Sequence, residues 1–130
     1  MKPAVVDLFC GCGGLSSGFS QAGFRVLAGL DKNERALVTF RRNFPKSAVI
    51  PADLSKLEAG SVARQLELRK GELDALIGGP PCQGFSKNVP AARRFLDDPR
   101  NQLMKVFLDF VERLNPKFVL IENVAEVLRT

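Results

Sequence analysis

The sequence predicts an α/β fold in which a parallel sheet of about five strands carries helices on both faces. Three observations predict it. Short β-branched and apolar runs alternate with helix-patterned stretches along the 130-residue chain. Glycine, proline or an acidic residue closes each apolar run, as expected where strands end along one edge of a sheet. The length suits one domain, covering residues 1–130, with enough chain to bury a core.

Ala4 to Phe9 reads as the first strand and runs into Gly11, Gly13 and Gly14. Leu15 to Ala22 reads as a helix stopped at Gly23, a C-terminal cap. Phe24 to Leu30 is a second strand ending at Asp31. Asn33 to Asn43 has helical spacing, with Ala36, Leu37 and Phe40 on one face and Pro45 beyond its end. Ser47 to Ile50 is a brief third strand followed by Asp53, and a polar helix is expected over Ser61 to Lys70 with Val62, Leu66 and Leu68 facing inward. Leu73 to Ile77 is the fourth strand and leads into Gly78-Gly79-Pro80-Pro81. Gln83 to Arg100, which contains Gly84, Asn88, Pro90 and Pro99, is expected to be a long loop, a feature that in compact domains is usually functional or mobile. A helix from Asn101 to Leu114 precedes Pro116, and Phe118 to Ile121 is a fifth, buried strand ending at Glu122. Right-handed crossovers make this a Rossmann-like arrangement, with the strand ends and any site along one edge. Asp31, Asp53, Cys82 and Glu122 each closely follow a strand, which brings four polar or reactive side chains to that edge.

Composition narrows the function classes. A 45% hydrophobic and 25% charged chain is not of the disordered type. No apolar run approaches the ~18 residues of a membrane span, and Met1-Lys2-Pro3-Ala4 enters the first strand without a cleavage signal. A soluble, cytoplasmic or otherwise intracellular protein with no membrane partner is expected. Its three cysteines cannot all pair within one chain, and that setting keeps them reduced. The absence of histidine removes Ser-His and Cys-His arrangements and most zinc chemistry. A net charge of +5 is explained as well by solubility as by a polyanionic partner. Its distribution favours the partner slightly: Lys87, Arg93, Arg94 and Arg100 crowd the long loop against only Asp97 and Asp98, a cluster suited to phosphates.

The segment Asp7-Leu8-Phe9-Cys10-Gly11-Cys12-Gly13-Gly14-Leu15 follows a strand and opens a helix, so the backbone can approach a ligand there. Asp31 stands twenty positions after Gly11, the spacing of an acid that binds ribose hydroxyls. This alone does not separate a nicotinamide dinucleotide from S-adenosylmethionine, or either from a tight turn without a ligand. Ser16 occupies the place of the third glycine in the dinucleotide pattern, which weakens that version. Cys10 and Cys12, with Cys82 as the only other soft ligand, are better read as small residues in a turn than as metal ligands.

Two prolines fix the backbone directly before Cys82, and Gly78-Gly79 lets a ligand lie close behind it. A cysteine is more often a small core residue than a nucleophile, but a place after a strand and beside a basic loop favours chemistry. Glu122 ends an apolar strand, where a carboxylate is either an ordinary solvent-facing acid or a functional one.

Together these pieces resemble the cytosine-5 DNA methyltransferases. The phrases DLFCGCGGLSSGF, GGPPCQGFS, DDPRNQL and FVLIENV stand in that family's order and at about its spacing, from the first strand to Val124. The resemblance implies a truncated S-adenosylmethionine-dependent methyltransferase fold acting on double-stranded DNA, in the setting of bacterial restriction–modification. It implies that the Cys82 thiolate attacks carbon 6 of a flipped-out cytosine, so that carbon 5 takes the methyl group. Glu122 would hold ring nitrogen 3 and the exocyclic amine. Gln83 would sit near the space the base leaves, and Ser86 with Lys87, Arg93, Arg94 and Arg100 would meet the DNA backbone. For the cofactor it points to Phe9, Gly11, Cys12 and Gly14 around the adenosyl and methionine parts, with Asp31 on the ribose and Asp53 on the adenine amine. Lys32 and Leu54 would flank the adenosine, Gly79 and Pro81 the methyl donor, and Leu103 would pack on the cofactor. Asp31 stands where the family often has glutamate.

Family members continue beyond Glu122 with further strands, a target-recognition domain and a C-terminal helix. The fifth strand is therefore expected to leave an open sheet edge, and catalysis to need further chain or a second polypeptide supplying target recognition. The alternatives are a non-catalytic fragment or split subunit that only binds cofactor, and an RNA cytosine-5 methyltransferase. A nicotinamide-dependent enzyme leaves GGPPCQ and Glu122 unexplained.

Overall fold

The computed structural model describes residues 1–81 and 102–122. Five parallel strands form one sheet: β1 (Ala4–Leu8), β2 (Arg25–Asp31), β3 (Ala48–Pro51), β4 (Ala75–Gly78) and β5 (Phe118–Ile121), in the order β3-β2-β1-β4-β5. The helices are α1 (Gly14–Gln21), α2 (Glu34–Asn43), α3 (Ala59–Gln65) and α4 (Gln102–Leu114), with a 3-10 turn at Leu54–Lys56 ahead of α3. The α/β expectation holds. The proposed loop Gln83–Arg100 lies outside the described residues, as do Cys82, Gln83, Ser86, Lys87, Arg93, Arg94 and Arg100.

All five residues of β1 are buried because the strand runs through the middle of the sheet with helices on both sides. Val5 joins Leu37, Phe40, Ala75 and Ile77 on the α1–α2 face. Val6 and Leu8 join Phe107, Phe110 and Leu114 of α4 and Val62 of α3 on the other. Burying each such aliphatic or phenyl group contributes about 1.5–3 kcal/mol, so the two small clusters carry most of what holds the layers together.

Strand order reverses beside β1: the chain goes outward to β2 and β3, then returns to β4 and β5. Leu8 is level with Leu30 on one side and with Gly78 on the other, so the turns that follow β1, β2 and β4 emerge together. Such a reversal opens a crevice at the carboxyl ends of the strands. Gly13 makes the first turn tight. It sits at φ 97, and a Cβ there would lie 2.8 Å from the ring of Phe44 and 2.9 Å from that of Phe40.

Two expectations are corrected. α3 stops at Gln65, five residues before Lys70. Glu67 adopts φ 55, the left-handed position usually taken by glycine, while Leu68 N–H reaches back to Ala63 O at 2.8 Å. With no glycine at the stop, the helix end was hidden, although Leu66 and Leu68 still pack on the core. β5 is not buried: Phe118 to Ile121 are 36–43% exposed. Its backbone pairs only with β4 among the described residues, and apolar side chains that suggested a core strand lie open at the sheet edge.

Candidate active site

A cleft of about 670 Å³ opens at the carboxyl edge. Its described walls are Phe9 after β1, Asp31 and Lys32 at the end of β2, Asp53, Leu54 and Ser55 after β3, Gly79 and Pro81 after β4, and Gln102 and Leu103 at the start of α4. Residues far apart in sequence thus converge because each follows a parallel strand or opens a helix at the same edge.

Phe9 turns the chain at φ 57, a left-handed conformation that a bulky residue adopts at a cost of roughly 1–2 kcal/mol. The turn is held from several sides: Cys10 N–H donates to Leu30 O at 3.0 Å, and Gly13 N–H to Cys10 O at 2.9 Å. Asp31 ties it to β2. Its Oδ2 accepts from Gly11 N–H at 2.8 Å and its Oδ1 from Asn33 N–H at 2.8 Å. Each carboxylate oxygen keeps lone-pair capacity for a further donor.

Asp53 is organised differently. Both donors of Ser55 go to one oxygen, Oδ1, the backbone N–H at 3.0 Å and the hydroxyl at 2.6 Å. The Ser55 hydroxyl and then its N–H hold the Asp53 carboxyl below the usual carboxylate range, so it is an anion at neutral pH.

Glu122 does not line the cleft but lies beside it, against the Gly79 wall. Its N–H donates to Gly78 O at 3.0 Å, extending the β4–β5 pairing by one residue. Its carboxylate lies over Gly79, where an added Cβ would come 2.9 Å from Oε2. The glycine before the prolines is what lets the acid from the neighbouring strand approach the Pro-Pro turn.

Of the residues expected around a cofactor, Phe9, Asp31, Lys32, Asp53, Leu54, Gly79, Pro81 and Leu103 line this cleft, whereas Gly11, Cys12 and Gly14 do not. The chain turns away after Cys10 to start α1. Gly11 spends its N–H on Asp31, Cys12 is exposed, and Gly14 faces a separate apolar groove of about 240 Å³ along α1. Ser55 and Gln102 also line the cleft and were missed by the sequence reading; their adjacency to Asp53 and Leu103 was the only available signal.

A second missed pair lies beneath the glycine turn. Asp7, only 1% exposed, accepts from the Ser16 hydroxyl at 2.7 Å through Oδ2, while Oδ1 has no partner among the described residues. Burial pushes its pKa up to about 6 against the lowering effect of Ser16, and Asp31 adds to the rise. Ser16, the residue that broke the dinucleotide pattern, is thus the partner of a buried acid. Burial, with the charges of Asp7 and Asp31, also drives the Cys10 thiol far up, which leaves it protonated and inert. Among the described residues no three Cys, Asp or Glu side chains converge as a metal site would need.

A family model described as C-5 cytosine-specific DNA methylase matches residues 4–130. The chain is 43% identical over 127 residues to the type II methyltransferase M1.HphI of Haemophilus parahaemolyticus, covering 98% of this chain and 34% of that one. It is 42% identical over 124 residues to M.AgeI of Thalassovita gelatinovora, covering 95% and 28%. The chain therefore spans about a third of the length of the curated relatives it matches. Among solved structures, a prophage-encoded E. coli protein described as a DNA modification methyltransferase superposes with a TM-score of 0.80 at 39% identity, covering 98% of this chain and 33% of that one.

Proposed function

This chain belongs to the C-5 cytosine-specific DNA methylase family, and from that premise we propose that its carboxyl-edge cleft binds S-adenosylmethionine as part of a DNA cytosine-5 methyltransferase. The observation that carries the reading is the convergence of Asp31, Asp53 and Gly79 on one cleft, with the Glu122 carboxylate lying over Gly79. The chemistry of the walls fits the cofactor. Asp31 offers acceptors for ribose hydroxyls, Asp53 an acceptor for the adenine amine, and Phe9, Leu54 and Leu103 apolar surface for the flat base. About 670 Å³ is within the range of small-molecule sites.

When bound, S-adenosylmethionine supplies an activated methyl group. The chain's own part begins at Cys82, whose thiolate adds to carbon 6 of cytosine and leaves carbon 5 nucleophilic. Glu122 holds the ring at nitrogen 3 and the exocyclic amine, where charge develops. After methyl transfer, loss of the carbon 5 proton accompanies cleavage of the bond to Cys82. The positive charge of the cofactor would favour the thiolate in place of a histidine. An alkylation profile with an ordinary thiol pKa near 8.5, with and without cofactor, would overturn that account.

Gln83, Ser86 and the basic cluster Lys87, Arg93, Arg94 and Arg100 serve the DNA in this reading. The relatives' names, type II methyltransferases of bacteria, support a bacterial restriction–modification setting, with which a cytoplasmic location is consistent. The open edge at β5 and the relatives' greater length support a need for further chain or a partner polypeptide in target recognition. The test is methyl transfer to DNA and to RNA, with and without candidate partner chains and with Cys82→Ala as control. Transfer to RNA alone would redirect the substrate, and binding of NAD in preference to S-adenosylmethionine would overturn the cofactor.

A further inference from the structure

We infer that Ser55 is a specificity-determining positioning residue: by engaging one oxygen of Asp53 it presents the other as an acceptor for the exocyclic amine of a 6-aminopurine. The inference rests on the cleft being the cofactor site proposed above, and it assigns how that site selects its base.

Ser55 donates twice to a single atom. Its N–H and its hydroxyl both reach Asp53 Oδ1, at 3.0 and 2.6 Å. An aspartate carboxylate otherwise turns broadly about its last torsion; two bonds to one oxygen suppress that turning. The backbone of Ser55 is itself fixed, because Lys56 N–H donates to Asp53 O at 3.0 Å and Leu57 N–H to Leu54 O at 3.2 Å. Asp53 Oδ2 accepts from no described residue, and both Asp53 and Ser55 line the cleft.

The donor count then decides the ligand. A serine hydroxyl has one proton, and here it is spent on Oδ1, so Ser55 Oγ can only accept from anything in the cleft. An ionised carboxylate also only accepts. Through Asp53 and Ser55 this wall offers acceptors, suited to the two protons of an amine at purine position 6, while the Lys32 ammonium is a charged donor of the same cleft. A carbonyl at the same position would place acceptor against acceptor, a mismatch that discriminates far more sharply than a missing apolar contact.

The test is calorimetric titration of the chain with S-adenosylhomocysteine and with S-inosylhomocysteine, which carries oxygen at position 6. The wild type is expected to bind the amino ligand at least about tenfold tighter. Ser55→Ala is expected to weaken the amino ligand roughly three- to tenfold while leaving the oxo ligand nearly unchanged, so that the preference shrinks. Ser55→Thr, which keeps the hydroxyl, is expected to restore it. Ser55 is exposed, so unfolding temperature should not change. Equal weakening of both ligands, or no change in either, overturns the inference. Equal wild-type binding of both overturns it while the cofactor reading stands. Failure of the wild type to bind either ligand overturns both.

Discussion

The Glu122 carboxylate lies against Gly79 so closely that a Cβ on the glycine would stand 2.9 Å from Oε2. The obstructing atom is the tip of a flexible side chain, so Gly79→Ala should move Glu122 rather than unfold the sheet. We expect roughly a hundredfold loss of methyl transfer, the scale of an ångström misplacement at a reacting centre. Thermal unfolding beside single-turnover rates checks this; a large fall in unfolding temperature would assign Gly79 to the fold instead.

Asp7 makes stability depend on pH. Its pKa is 3.8 when freely solvated and about 6 in the folded protein, so between those values the folded state holds the extra proton. Stability should fall as pH rises through that window and level off above it, by roughly 3 kcal/mol at about 1.4 per pKa unit. Asp7→Asn should remove this component. Urea midpoints measured for both proteins from pH 4 to 7 would show their difference changing across the window, and parallel curves would refute the assignment.

Ser16→Ala deletes the hydroxyl that donates to this buried acid at 2.7 Å. Leaving a buried acceptor without its donor costs about 1–3 kcal/mol, more for a charged group. The destabilisation should be greater at pH 7, where Asp7 is ionised, than at pH 5. Denaturant unfolding at both pH values reads it directly.

Asp31→Asn should disturb the glycine turn as well as the cleft. Gly11 N–H and Asn33 N–H each donate to one carboxylate oxygen, and an asparagine amide would turn a donor towards one of them. A cofactor affinity at least about tenfold lower, measured by calorimetry, is expected from losing a charge-assisted bond. Unchanged affinity would remove Asp31 from the ligand site.

Val119 is 37% exposed on the open edge strand. A charged residue blunts such an edge against pairing with another chain. Val119→Lys should lower self-association of the isolated chain in sedimentation experiments, with stability changed by no more than about 0.5 kcal/mol.

Much of the site was legible because its residues follow strands whose apolar runs are short and cleanly bounded. Asp31 and Asp53 could be assigned to the carboxyl edge from local pattern, and Phe9 and Gly79 to the ligand site from the family's phrases, and that edge carries the cleft. The pattern failed where a local rule had an unusual occupant. Glu67 ends α3 in the place of glycine, and β5 has the composition of a core strand although, among the described residues, its side chains stay partly open, with Phe118 resting on Phe19 and Phe24.

By itself the sequence determined the order of strands and helices, the glycine and proline turns, and the family, since these reside in short-range periodicity and contiguous phrases. Only the tertiary structure decided that Asp31 holds Gly11 in place, that Ser16 partners Asp7, and that Glu122 closes on Gly79. Asp31 and Gly11 stand twenty residues apart, and Glu122 and Gly79 forty-three. Their contact distances depend on sheet register and on what is buried beside them, which no local window contains.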